Sequence, residues 1–122
     1  MAAKTVLIVE DNPLNMKLFG DVLEAKGYTT LRVRDGEAAI DAARNGQPNL
    51  VLMDIHLPGR SGVDVAKEMK LDPALRDIPV VAITAYALRG DRERILAAGC
   101  SDYVAKPVSI DRLIDVVAAY AA

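Results

Sequence analysis

Short apolar runs alternate along this chain with longer stretches in which apolar residues return every three or four positions. The runs are Thr5 to Val9, Thr29 to Val33, Leu50 to Met53, Val80 to Ile83 and Cys100 to Ala105. They predict strands β1 to β5, and the uninterrupted LVLM of β3 suits a strand buried on both faces of a parallel sheet. Between them lie five helical patterns. Pro13, at a first-turn position helices tolerate, opens α1, and Gly27 closes it. Leu14, Leu18 and Val22 fall four apart on one face of α1, with Phe19 and Leu23 widening that stripe toward the sheet. Helix α2 runs from Gly36 to Asn45 and stops at Gly46 and Pro48. Helix α3 covers Val63 to Lys70, with Val63, Ala66 and Met69 inward, and ends at Asp72 and Pro73. Helix α4 spans about Gly90 to Ala98 before Gly99. Ser109 caps α5, whose stripe is Ile110, Leu113, Ile114 and Val117, and which runs almost to Ala122.

Strict alternation of strand and helix implies a (βα)5 chain, an α/β fold whose five-stranded parallel sheet is doubly wound, with helices on both faces. In such sheets ligands bind at the carboxyl ends of the strands. The polar residues of interest sit there: Glu10 and Asp11 after β1, Asp54 after the apolar run of β3, Thr84 after β4 and Lys106 after β5. Asp54 alone could simply cap the loop containing Pro58, Gly59 and Gly62. Its company at the same edge makes a site the better reading.

Composition narrows the function without naming it. The 122 residues, 52% of them hydrophobic, make one domain spanning the whole chain. A net charge of −2 with no basic cluster argues against a nucleic-acid partner. The one cysteine, Cys100, cannot form an internal disulfide, and the opening MAAKTVLIVED is too short in its apolar run for a signal peptide or a membrane span. A cytoplasmic chain that does not insert in membranes is expected. No internal repeat or linker interrupts it.

Three carboxylates brought together repel, so they need protons or a cation, and an oxygen-only ligand set suits Mg2+. A carboxylate beside Mg2+, faced by a lysine and a hydroxyl, is arranged to accept a phosphoryl group. Asp54 is then the nucleophile, and Lys106 and the ion offset charge on the transferring group.

The segments LIVEDNPLNMKLF, LVLMDIHLPGRSG, VVAITAYA and SDYVAKPVS carry a resemblance that covers the full length. The chain resembles the receiver domains of two-component response regulators, the CheY-like family, and most of all single-domain regulators of cell division. The resemblance implies a flavodoxin-like strand order 2-1-3-4-5, Asp54 as phosphoacceptor, and Mg2+ held by Asp11, Asp54 and the backbone carbonyl of His56, with Glu10 acting through water. It implies that Lys106 and Thr84 contact the phosphoryl group and that the Lys106-Pro107 peptide is cis. It further implies a switch in which Thr84 moves toward the phosphoryl oxygens and Tyr103 turns inward, reshaping the α4-β5-α5 face from about Leu88 to Tyr120. The implied protein is a phosphorelay regulator and not an enzyme. Its donor is a histidine kinase, which can also act as its phosphatase, or a histidine phosphotransferase, and its output is protein-protein contact in cell-cycle control. Glu10 departs from the aspartate usual at that place and lengthens the water-mediated arm.

Other readings stay open at this level. A haloacid-dehalogenase-like phosphatase also uses an aspartyl nucleophile, but there a second acid is expected two residues on, where His56 stands. A flavin or dinucleotide binder lacks its glycine-rich loop after β1. A receiver excised from a hybrid histidine kinase would share the VEDNPLN segment. His56 and Tyr86 are read as shields of the site or as plain surface. Asn15 is expected to bond the β3 loop backbone or to be solvated. Cys100 reads as a small buried hydrophobe, Met16, Met53 and Met69 as core or rim, and the charge run Arg89 to Arg94 as a solvated helix face.

Overall fold

The computed structural model describes residues 3–85 and 90–121. Tyr86, Leu88 and Arg89, singled out above, lie outside the described residues. The elements follow in the order β1 (Thr5–Val9), α1 (Pro13–Ala25), β2 (Thr29–Val33), α2 (Gly36–Gly46), β3 (Leu50–Asp54), α3 (Gly62–Leu71), β4 (Val80–Thr84), α4 (Asp91–Ala97), β5 (Asp102–Ala105) and α5 (Ile110–Tyr120). The five strands form one sheet in the order β2-β1-β3-β4-β5, and every neighbouring pair is parallel. The expected fold class and strand order are therefore those observed.

Alternate residues of each central strand serve opposite layers. Val6 and Ile8 of β1, Leu50 and Leu52 of β3, and Val81 and Ile83 of β4 pack with Phe19 and Leu23 of α1 and with Leu113, Val116 and Val117 of α5. Leu7, Val9, Val51, Met53, Val80 and Ala82 face the other way, against Ala39, Ile40 and Ala43 of α2, Val63, Ala66 and Met69 of α3, and Ile95 of α4. Burial on both faces explains why β3 and β4 are apolar without alternation.

Helix α1 corrects one expectation. Leu14 and Leu18 are 79% and 45% exposed, and the buried face is Phe19 and Leu23, with Met16 partly buried beside them. The two stripes are adjacent on the helix, and the packing selects the one that buries the phenyl ring, the larger apolar surface. Helix ends follow their local signals. Asn12 accepts from the Leu14 and Asn15 amides, and Gly27 takes φ +94, the left-handed conformation that ends α1. Ser61 and Ser109 cap α3 and α5. Among the described residues no helix is long and apolar enough to cross a membrane.

Candidate functional site

Register brings the polar residues together. Val9 pairs with Met53, Asp54 with Ile83, and Thr84 with Ala105, so Glu10 leaves the sheet level with Asp54, Thr84 one residue step beyond it and Lys106 one step beyond Thr84. The Lys106 amide donates to the Thr84 carbonyl at 2.8 Å, which keeps β5 paired up to the lysine, and the Lys106-Pro107 bond is cis. Behind Asp54 the chain doubles back closely. The Gly62 amide donates to the Ile55 carbonyl at 3.0 Å, and a Cβ at Gly62 would stand 2.5 Å from the Asp54 carbonyl oxygen and 2.7 Å from Ile55 Cα. Only glycine allows that approach.

Asp54 is buried, and both its oxygens are engaged. Oδ1 accepts the His56 amide at 2.9 Å, and Oδ2 accepts from Lys106 Nζ at 2.8 Å. Glu10 is fully buried next to it. Its Oε1 accepts from Asn15 Nδ2 at 2.8 Å and lies 3.8 Å from Lys106 Nζ, while Oε2 has no donor facing it. Burial first, and then the neighbouring Asp54 carboxyl, push the Glu10 acid up to about 7. Burial alone would raise Asp54 as well, but hydrogen bonds from Glu10, Lys106 and the His56 amide outweigh it and hold Asp54 below the ordinary carboxylate range. The site thus favours the ionised form of Asp54 and the protonated form of its neighbour.

Asp11 stands apart from this pair. Its side chain is 52% exposed, with Oδ1 3.9 Å from Arg34 Nη2. Among the described residues no three His, Cys, Asp or Glu side chains are gathered as a ready metal cage. Tyr103 is half-buried against the core layer containing α2, α3 and α4. A cleft of about 300 Å3 opens beside the lysine, lined by Asn15, Leu18, Phe19, Lys106, Pro107 and Val108.

Two expectations about side chains change. Asn15 neither bonds the β3 loop nor stands solvated: it donates to Glu10. The run from Arg89 to Arg94 is not wholly a solvated face, because Asp91 within it is buried, accepting the Thr84 hydroxyl at 2.7 Å and facing His56 Nε2 at 3.3 Å. Periodicity gave little sign of either residue. An acid in the first turn of a helix is also what the helix dipole favours at an exposed position. Cys100 is buried, as expected, and burial raises its thiol to about 11.

Comparison with known proteins agrees with this geometry. The family model described as the response regulator receiver domain matches residues 6–118. The chain is 54% identical over 117 residues to the polar-differentiation response regulator DivK of Brucella anthropi, covering 96% of this chain and 95% of that protein, and equally so to DivK of Brucella ovis. Among solved structures, a response regulator from Chloroflexus aurantiacus superimposes with a TM-score of 0.93 at 28% identity, over 98% of both chains. The receiver domain of a sensor histidine kinase from Pseudomonas aeruginosa, solved with a magnesium ion coordinated in its active-site cleft, superimposes with a TM-score of 0.90 at 36% identity, again over 98% of both. The sheet order, the acidic edge and these likenesses agree, and the chain belongs to the response regulator receiver family of two-component signalling.

Proposed function

We propose that this chain is a phosphorelay regulator that accepts a phosphoryl group on Asp54. The observation that carries the reading is the contact of Lys106 Nζ with Asp54 Oδ2 at 2.8 Å, made between the ends of two strands beside a buried acid, Glu10, one of whose oxygens lacks a donor. In the transfer an Asp54 oxygen forms a bond to phosphorus as the bond from phosphorus to the donor's imidazole nitrogen breaks, and that nitrogen keeps the electron pair. Lys106 balances charge on the phosphoryl oxygens, and the His56 amide orients the carboxylate through Oδ1. The donor is a histidine kinase or a histidine phosphotransferase.

The donor set fits Mg2+. A buried carboxyl pushed up to about 7, first by burial and then by the carboxyl beside it, and with one oxygen lacking any donor, is a group that a hard cation relieves. Asp11, Asp54 and the His56 carbonyl would hold the ion, with Glu10 acting through water, and Asp11 is exposed enough to leave Arg34 for that role. When bound, the ion supplies positive charge against the phosphoryl oxygens. Thr84 and Tyr103 are the switch, and the face built by α4, β5 and α5 meets the partner. The DivK relatives are named for polar differentiation, which supports a role in cell-cycle control of a cytoplasmic regulator. A receiver belonging to a hybrid kinase is the second reading, supported by the 36% identity to a sensor kinase's receiver. Higher identity to free regulators, over nearly their whole length, favours the first.

Intact mass after incubation with Mg2+ and phosphoramidate tests the proposal. Gain of one phosphoryl group by the native chain, and none by Asp54→Asn or without Mg2+, is the expected result. Equal modification of Asp54→Asn would overturn it.

A further inference from the structure

One buried carboxylate near the site takes no part in the chemistry above. Asp91 is the first residue of α4, follows Gly90 at φ +93, and is only 4% exposed. Its Oδ2 accepts the Thr84 hydroxyl proton at 2.7 Å and lies 3.3 Å from His56 Nε2, while Oδ1 accepts from Arg94 Nη1 at 3.1 Å. Asp91 therefore joins the end of β4, the loop after β3 and the first turn of α4. A buried carboxylate needs such partners, and here one of them is the very hydroxyl assigned to the phosphoryl group.

A threonine hydroxyl has one proton to give. While Thr84 gives it to Asp91, it cannot also give it to a phosphoryl oxygen on Asp54. Building on the reading of Asp54 as phosphoacceptor, we propose that Asp91 is a positioning residue that latches the Thr84 hydroxyl in the unphosphorylated protein and surrenders it when the phosphoryl group arrives. The exchange has two consequences. Phosphoryl capture works against a standing charge-assisted hydrogen bond, so the resting state is held off. And release of Thr84 removes a tie on the first turn of α4, so the signal reaches that helix directly from the end of β4, in addition to any movement of Tyr103.

A structural role, in which Asp91 merely fixes the start of α4, makes a different prediction. The test measures affinity for beryllofluoride with Mg2+ in the native chain, Asp91→Asn, Thr84→Val and the double variant, a cycle that isolates the coupling between the two residues. Asparagine keeps the size of the side chain and loses its charge, which weakens it as an acceptor. Asp91→Asn is expected to bind about tenfold more tightly than the native chain, a factor typical of losing one hydrogen bond to a charged group, and to change nothing when Thr84 is already valine. Unchanged or weaker binding by Asp91→Asn, or the same change in both backgrounds, overturns the latch. Failure of the native chain to bind overturns the phosphoacceptor reading itself, and the latch with it. Should Asp91→Asn not fold, hydrogen exchange on the native chain decides: the amides of residues 91–94 are expected to exchange faster once beryllofluoride binds, and equal or slower exchange overturns the proposal.

Discussion

Lys106 Nζ reaches Asp54 Oδ2 at 2.8 Å across fifty-two positions of sequence, and the same ammonium lies 3.8 Å from Glu10 Oε1. It occupies the position of a counter-ion for both acids. A metal ion bound to Asp54 must share the carboxylates with it.

Lys106→Met keeps an unbranched side chain, one atom shorter, and removes its charge. Without metal the variant should lose about 1–3 kcal/mol of stability. That is less than the full cost of breaking a buried pair, because the lysine is 24% exposed and screened by solvent. Mg2+ should bind several-fold more tightly to it, since the competing cation is gone, while phosphorylation from a small donor falls. Urea unfolding and Mg2+ titration followed by calorimetry check both. Mg2+ affinity at or below the native value would show that the lysine does not compete.

Gly62 lies where the chain turns back against the end of β3. An added Cβ meets backbone there, the Asp54 carbonyl oxygen at 2.5 Å and Ile55 Cα at 2.7 Å, and backbone cannot swing aside. Gly62→Ala should cost about 1–3 kcal/mol, as overpacking does, and slow phosphorylation by displacing Asp54. At Gly36 the obstacle is Val65 Cγ2, also at 2.5 Å, but a side-chain methyl can turn. Gly36→Ala should leave phosphorylation unchanged, and thermal melts with phosphorylation rates on both variants test the contrast.

Helix α1 shows where sequence reading succeeds and where it stops. The helix, its Pro13 start and its Gly27 end were legible because capping is local chemistry, and the site's strand ends were legible because parallel register follows from alternation. Which of two neighbouring stripes faces the sheet was not, since Leu14, Leu18 and Val22 repeat as regularly as Met16, Phe19 and Leu23 and only the packing decides. Asp91 was not legible for a similar reason: its partners Thr84 and His56 belong to the end of β4 and the loop after β3, outside its own helix.

The same helix gives a prediction that separates packing from docking. Leu23→Ala should cost about 2–5 kcal/mol, as buried leucine truncations do, whereas Leu14→Ala should change stability by less than about 0.5 kcal/mol. Leu18 borders the cleft beside Lys106, Pro107 and Val108, and under the proposed function this exposed leucine would offer apolar surface to a protein donor. Leu18→Lys should slow phosphotransfer from a phosphorylated histidine protein at least tenfold, a loss typical of a contact residue, and leave phosphoramidate labelling intact. Equal slowing of both reactions would place the defect in the site instead.

Glu10 makes stability depend on pH, and its sign can be worked out. The acid is raised from 4.5 to about 7 in the folded chain, first by burial and then by Asp54. Between those values the native protein holds a proton that the unfolded chain has lost, so its stability falls as pH rises through the window and levels off above about 7. At 1.36 kcal/mol per unit, the Glu10 contribution lost is roughly 3 kcal/mol. Asp54 acts in the opposite sense and in a more acidic range: its depressed value contributes stability present above the ordinary 3.8 and lost as pH falls through the lower folded value. Metal-free protein should therefore be more stable near pH 5 than near pH 8, where Glu10 must ionise beside Asp54. Glu10→Gln, which cannot ionise, should lack this fall. Mg2+ should stabilise the native chain more at pH 8 than at pH 5, because at the lower pH the ion must first displace the shared proton. Urea unfolding in EDTA and in Mg2+ at both pH values, on both chains, measures each term. A native chain whose metal-free stability rose across this window would show that Glu10 is already ionised in the fold, and that its partnerless oxygen is met by something other than a proton.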